Sequence, residues 1–379
     1  MLYLDNAATS PVRPEVLQAM APHLARFGNP SSTHTVGEQA AAVLADARAR
    51  VAAVLGMRAG DIVFTSGGTE ANNLAVKGIT IAAALARGRP VQLVTTAIEH
   101  ESVLASCDYL RRVHGFAVTE VGVDAGGRID PEALAAAITD DTALISVGYA
   151  NNEVGTVQDV AALASLAQTT RVPLHLDAVQ AAGWLPLAGT GADALSIAGH
   201  KVGAPQGTGV LAVRGRIALE PLLHGGGQER DRRSGTENVA GAVAIATALE
   251  LAERERADDA ARVGARCRVF IAQVLATVPS ARLTGDPVHR LPGTASFTFA
   301  GVSGEAVLLE LERRGLVTSS GSACAAGSAD PSPVLLALGV APEVAQTAVR
   351  VTFPHGFGAD VEPLARAVGD AVAAVRSDG

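Results

Sequence analysis

Two apolar runs in this chain each end on a residue able to do chemistry. Pro173-Leu174-His175-Leu176-Asp177 closes on a carboxylate, and Ala194-Leu195-Ser196-Ile197-Ala198-Gly199-His200-Lys201 closes on an amine. Such runs read as buried strands of a parallel sheet, and ligands of such sheets bind beyond the carboxyl ends of the strands. A lysine there can form a Schiff base with an aldehyde. A carboxylate one strand away can hold a pyridine nitrogen protonated, so that the ring withdraws electrons. The pairing of Lys201 with Asp177 therefore points to pyridoxal 5'-phosphate.

Cys324 lies in Ser319-Ser320-Gly321-Ser322-Ala323-Cys324-Ala325-Ala326-Gly327, a stretch of small residues without apolar periodicity. A thiol in that setting reads as exposed and reactive. Cys107 and Cys267 instead fall on helical apolar stripes, Val103-Cys107-Leu110 and Val263-Cys267-Phe270-Val274, and read as core. Three cysteines give neither a disulfide framework nor a metal spacing, so no metal site is expected. Only Cys324 is open to serving as a ligand, in a complex with a scaffold protein.

Other residues gain meaning from Lys201. Thr65-Ser66-Gly67-Gly68-Thr69-Glu70 joins a strand to a helix, where free N–H groups and the helix dipole meet an anion; an ordinary capped turn is an equal reading of the motif alone. His100 follows an apolar run and is placed to stack on a cofactor ring and move protons, against the alternative of a solvated loop histidine. Asn151 and Asn152 are turn residues or amides reaching a carboxylate or ring hydroxyl. Gln180 is a surface residue or a ring contact, and His200 donates to phosphate or ends a strand. Arg350, inside Val349-Arg350-Val351-Thr352-Phe353, either faces outward or grips an α-carboxylate with its guanidinium fork.

The elements that must position these residues alternate. Strand candidates at Asp61–Ser66, Val91–Thr96, Ala143–Tyr149, Pro173–Asp177, Ala194–Ala198 and Gly209–Val213 are separated by alanine-rich helical stretches, which predicts a parallel sheet covered on both faces. Asn238–Val278 reads as one long helix or two adjoining ones, leading to a smaller α+β part. That part has strands at Thr294–Phe299 and Ala348–Phe353 and helices near Glu305–Arg314 and Val361–Val375. Few aromatics predict an aliphatic core. A net charge of −8 without a dense Lys/Arg run argues against nucleic acid as a direct ligand. No stretch is long and apolar enough to span a bilayer and the start is not a secretory leader, so a cytoplasmic protein is expected.

The ordered set of motifs resembles the NifS- and IscS-like cysteine desulfurases of the class V aminotransferase group. It runs from Tyr3-Leu4-Asp5-Asn6-Ala7-Ala8-Thr9 and Gly28-Asn29-Pro30-Ser31-Ser32 through Thr65 to Glu70, Glu99-His100 and Asn151-Asn152-Glu153-Val154-Gly155. Asp177-Ala178-Val179-Gln180, Gly199-His200-Lys201, Gly225 to Arg230, Arg233-Ser234-Gly235-Thr236 and Ser319 to Cys324 complete it. The resemblance spans essentially the whole chain. It implies an α/β protein of pyridoxal-phosphate fold type I, with a mostly parallel sheet sandwiched by helices. A large cofactor-binding domain over 15–250 and a small α+β domain from 1–14 plus 251–379, carrying the cysteine loop, are expected.

The resemblance further implies that Lys201 forms the Schiff base, Asp177 meets the pyridine nitrogen, Gln180 the ring oxygen, and His100 the ring face. Gly68, Thr69 and His200 would serve the phosphate, as would Thr236 of the neighbouring subunit in a homodimer. Asn151, Arg350 and Asn29 would bind the substrate, Asn151 also touching the cofactor. The implied reaction takes sulfur from L-cysteine onto Cys324 as a persulfide and releases L-alanine. The residues after Cys324 resemble the longer-loop branch that supplies iron–sulfur scaffold proteins or thiolation relays, so a protein acceptor is expected. The sequence departs from the pattern at Ala198, where relatives often carry a phosphate-binding serine, and at Phe353-Pro354-His355-Gly356-Phe357. Competing readings are a selenocysteine lyase, another class V aminotransferase or lyase, and a non-catalytic scaffold. The presence of both Lys201 and Cys324 ranks the last lowest.

Overall fold

The computed structural model describes residues 1–321 and 330–377. Its strands, in chain order, are β1 (Leu2–Tyr3), β2 (Ile62–Thr65), β3 (Gln92–Thr96), β4 (Ala117–Val121), β5 (Thr142–Gly148), β6 (Leu174–Asp177), β7 (Ala194–Ala198), β8 (Gly209–Val213), β9 (Ala281–Leu283), β10 (Thr294–Phe299), β11 (Leu316–Val317) and β12 (Ala348–Thr352). Seven of them form the main sheet in the order β2-β8-β7-β6-β5-β3-β4. All neighbours pair in parallel except at β8, which runs antiparallel to β2 and β7. The exception has a local cause: β7 reaches β8 through a short turn segment, and without a crossover helix a strand returns antiparallel.

The six strands expected in this region appear within one residue of their predicted bounds at each end. β3, β6, β7 and β8 are buried along their whole lengths, as strands with helices on both faces must be. The unexpected strand is β4, at the sheet edge; its residues are mostly exposed or half-buried, so it carries no apolar run.

A second, antiparallel sheet has the order β12-β10-β9. The aliphatic core predicted from composition describes the main sheet but not this one. Phe270, Phe297, Phe299, Phe353 and Phe357 gather here, in edge-to-face and tilted pairs.

Between the two cores runs one uninterrupted helix, Val239–Thr277, capped by the Asn238 side chain accepting from the Gly241 N–H at 2.9 Å. Its first three turns pack on the main-sheet core and Val263–Val274 on the phenylalanine core, so the boundary expected at 250/251 falls inside it. The N-terminal β1 pairs in parallel with β11, after which Asp5–Thr9 passes beneath Lys201 and His200. Among the described residues no helix is long and apolar enough to cross a membrane.

Candidate active site

Asp177 is the last residue of β6, and β7 lies beside it in parallel register, Asp177 opposite Ser196. Lys201 closes the short 3-10 turn Gly199–Lys201 that follows β7. Only glycine fits at the head of that turn, since a Cβ at 199 would stand 2.2 Å from Thr208 Oγ1. Both side chains enter a crevice of about 560 Å³ beyond the strand ends, together with His100, Gln180, Asn151 and His200.

The floor of the crevice is the N-terminal segment. Lys201 Nζ donates to the carbonyl oxygens of Ala8, at 2.7 Å, and Ala7. Gln180 Nε2 also donates to Ala7 O, at 3.0 Å. Thr9 Oγ1 lies 3.1 Å from His200 Nδ1. Burial, helped by the charge of Lys201, lowers the His200 pKa to about 4, so this imidazole is neutral at neutral pH.

His100 is not a solvated loop residue. It caps the helix Glu101–His114, its Nδ1 accepting from the Ser102 N–H at 3.1 Å and lying 2.8 Å from Ser102 Oγ. Asp177 is buried; its Oδ1 accepts from the Val179 N–H at 3.0 Å and its Oδ2 from Asn72 Nδ2 at 2.7 Å. Asn151 spends its carbonyl oxygen on the N–H groups of Glu153 and Val154 and donates from Nδ2 to Ile98 O, leaving one amide hydrogen for a ligand.

Arg350 faces inward and is 1% exposed. It pairs with Asp5 at 2.6 Å and donates through Nη1 to the carbonyls of Asn152 and Gly321, while its Nε is buried with no partner among the described residues. Gly68 and Thr69 line the crevice at the start of a helix that continues through a π-helical turn, Leu74–Gly78, to Arg87. A Cβ on Gly68 would meet Val179 Cγ2 at 2.8 Å and Ala198 Cβ at 3.2 Å, so the cradle wall is bare backbone by necessity.

Two expected residues are not brought in. Asn29 is exposed and lies away from the crevice, its Oδ1 accepting from the Ser31 N–H. Thr236 is likewise exposed and outside the crevice of its own chain. Its loop is tied to the cradle helix by a bidentate pair between Arg233 and Glu70, with bonds of 2.8 and 3.2 Å. Cys324 lies outside the described residues. The chain enters and leaves its segment at the crevice: Arg350 holds Gly321 O, Ser332 Oγ donates to Glu153 Oε2 at 2.5 Å, and Pro333 and Val334 line the opening.

Cys107 and Cys267 are buried, as expected, and burial pushes both thiols up to about 12. Sequence reasoning missed Asp5, Asn72, Glu99 and Ser102. Glu99 is buried at the crevice wall; burial, with Asp177 nearby, raises its carboxyl to about 8 against the stabilising bond from Thr96 Oγ1. The motif Asp5-Asn6-Ala7-Ala8-Thr9 was the available signal for the first of these, an ordered polar stretch with no element of its own.

The family model for class V aminotransferases matches residues 2–356. The chain belongs to this family. It is 43% identical over 382 residues to an IscS-like cysteine desulfurase of Mycobacterium tuberculosis, spanning 99% of this chain and 97% of that protein. It is 40% identical to the cysteine desulfurase IscS of Methanosarcina thermophila over 99% of this chain and 93% of that one. Among solved structures, a NifS-like protein superposes with a TM-score of 0.88 at 32% identity, covering both chains fully. SspA in complex with cysteine superposes at 0.82 with 35% identity, covering 94% of this chain and 99% of that one.

Enzymes of the class V aminotransferase family are in general pyridoxal-phosphate-dependent. In this member the stretch after Arg350 that departs from the usual motif is firmly packed. His355 stacks on Trp184 with ring centroids 3.9 Å apart, and its Nδ1 lies 3.5 Å from Asp259 Oδ2 on the long helix.

Proposed function

We propose that this chain is a pyridoxal-phosphate-dependent cysteine desulfurase that moves sulfur from L-cysteine onto Cys324 and releases L-alanine. The observation that carries the reading is one crevice holding an amine, Lys201, a buried carboxylate, Asp177, and an imidazole, His100, with the described flanks of the Cys324 segment at its rim.

The residues present fit the cofactor. The glycine cradle at Gly68, where Val179 and Ala198 leave no room for a Cβ, would leave backbone N–H groups accessible to an anion, and Thr69 and the neutral His200 would add donors. Asp177 would hold the ring nitrogen, Gln180 and Asn151 the ring oxygen, and His100 the ring face. Thr236 would be supplied by the second subunit of a homodimer. When bound, the cofactor supplies an aldehyde for Lys201 and a ring that accepts electrons from the substrate α-carbon.

The chain's own groups do the rest. The Nε of Arg350, without a partner among the described residues, would be the donor for the substrate carboxylate. Lys201, released by the incoming amine, takes the α-proton and later returns a proton. The Cys324 thiolate attacks the substrate sulfur; as the new S–S bond forms, the C–S bond breaks with its electron pair on the β-carbon, which takes a proton and leaves as the methyl of alanine. His100, whose Nε2 has no partner among the described residues, would serve as the acid for that step. The persulfide on Cys324 then passes to an acceptor protein of the iron–sulfur scaffold or thiolation kind.

The test compares alanine and sulfide release from L-cysteine and a thiol reductant in the parent and in Cys324→Ala, at equal cofactor content. Turnover by the parent and its loss in a variant that still binds cofactor are expected. Equal activity of the two would make the enzyme a lyase that does not use Cys324.

A further inference from the structure

The buried amide of Asn72 is oriented in a way that packing alone does not require. Its Nδ2 donates twice, to Asp177 Oδ2 at 2.7 Å and to Ser102 Oγ at 2.9 Å, while its Oδ1 is buried with no partner among the described residues. Leaving a buried acceptor unmet is costly, so the site keeps both N–H bonds at the acceptor's expense. The hydrogens then fall in one order. Ser102 Oγ accepts from Asn72, and its single proton is directed at His100 Nδ1, 2.8 Å away. That nitrogen also faces the Ser102 backbone N–H at 3.1 Å. Two donors on one ring nitrogen assign the imidazole proton to Nε2.

We propose that Asn72 and Ser102 are positioning residues that lock His100 as the Nε2–H tautomer and tie its orientation to Asp177. The group that meets the face of the ring and the group that meets its nitrogen are thereby set as one unit. The assignment deepens the desulfurase reading and rests on it for the role of His100. Orientation by outer partners is how catalytic imidazoles are ordinarily held, and here the holder is a serine–asparagine pair in place of a carboxylate on Nδ1.

The test has one readout on the cofactor-free chain and one on the loaded enzyme. With ¹⁵N-histidine labelling, the multiple-bond ¹H–¹⁵N correlation of His100, identified as the pattern lost in His100→Gln, is expected to show Nδ1 unprotonated and hydrogen-bonded. In Ser102→Ala, which keeps the backbone N–H donor, the Nδ1 signal should move part of the way toward that of an unbonded acceptor. In the loaded enzyme Ser102→Ala should lower kcat about tenfold with little change in KM. Asn72→Ala should add little on top of Ser102→Ala, and Ser102→Thr, which keeps the hydroxyl, should restore both signal and rate. A proton found on Nδ1 in the parent, or an Nδ1 signal unmoved by Ser102→Ala, overturns the proposal. A parent with the expected Nδ1 signal but no desulfurase activity supports the positioning and sinks the desulfurase reading alone.

Discussion

Arg350 is the residue whose environment most constrains what it can do. Its guanidinium is enclosed, and the carboxylate ion-paired to it is Asp5, from the far end of the chain. Removing one member of a buried pair leaves the other uncompensated, at a cost of about 3 kcal/mol. Asp5→Asn, which keeps the hydrogen-bond acceptor and removes the charge, should lower stability in urea by up to about that amount. Saturating L-alanine, whose carboxylate would bring a negative charge to the Arg350 Nε, should recover more stability in the variant than in the parent. An unchanged urea midpoint in Asp5→Asn would show that the ion pair does not hold Arg350. Neither member could be paired from sequence. Arg350 was legible as a charge within a strand pattern, but its inward orientation depends on a partner 345 residues away.

At the scale of elements, burial decided what could be read. Strands covered on both faces announce themselves as apolar runs; β4, at the edge, and the Asp5–Thr9 floor, which belongs to no element, do not. Asn72 and Ser102 were silent for the same reason, their meaning lying in a bridge between two helices and a strand end. The cradle shows the opposite case, where a turn is shaped by a strand. A Cβ on Gly209 in β8 would fall 2.6 Å from Gly67 Cα and 2.7 Å from Gly67 N, backbone that cannot swing aside. Gly209→Ala should therefore displace the turn bearing Gly68 and Thr69, costing about 1–3 kcal/mol of stability and weakening cofactor binding about tenfold or more. Cofactor titration by absorbance measures this. Gly60→Ala, where a Cβ meets open space, is the control expected to bind as the parent does. Equal affinity in Gly209→Ala would mean that the cradle does not lean on β8.

For the whole molecule, two buried groups set opposing pH limits. His175 bridges Ser146 and Ser196 on the flanking strands, and burial lowers its pKa from 6.5 to about 3. Between those values the unfolded chain binds a proton that the folded one does not, so stability falls as pH drops. Glu99, raised by burial from 4.5 to about 8, stays protonated in the folded chain while the unfolded chain ionises, so its contribution is lost as pH rises across that window. Each limb has a limiting slope of about 1.4 kcal/mol per pH unit. From 4.5 to 6.5 the two slopes nearly cancel, and His200, lowered in the same direction as His175, tilts that plateau upward toward its alkaline end. Stability measured by urea unfolding from pH 4 to pH 8 should accordingly peak near pH 6.5 and decline on both sides. Glu99→Gln, which keeps the shape and removes the titration, should flatten the alkaline limb and leave the acid limb in place. If the alkaline slope is the same in parent and variant, Glu99 is ionised in the folded chain, and its carboxylate must then share the charge environment of Asp177.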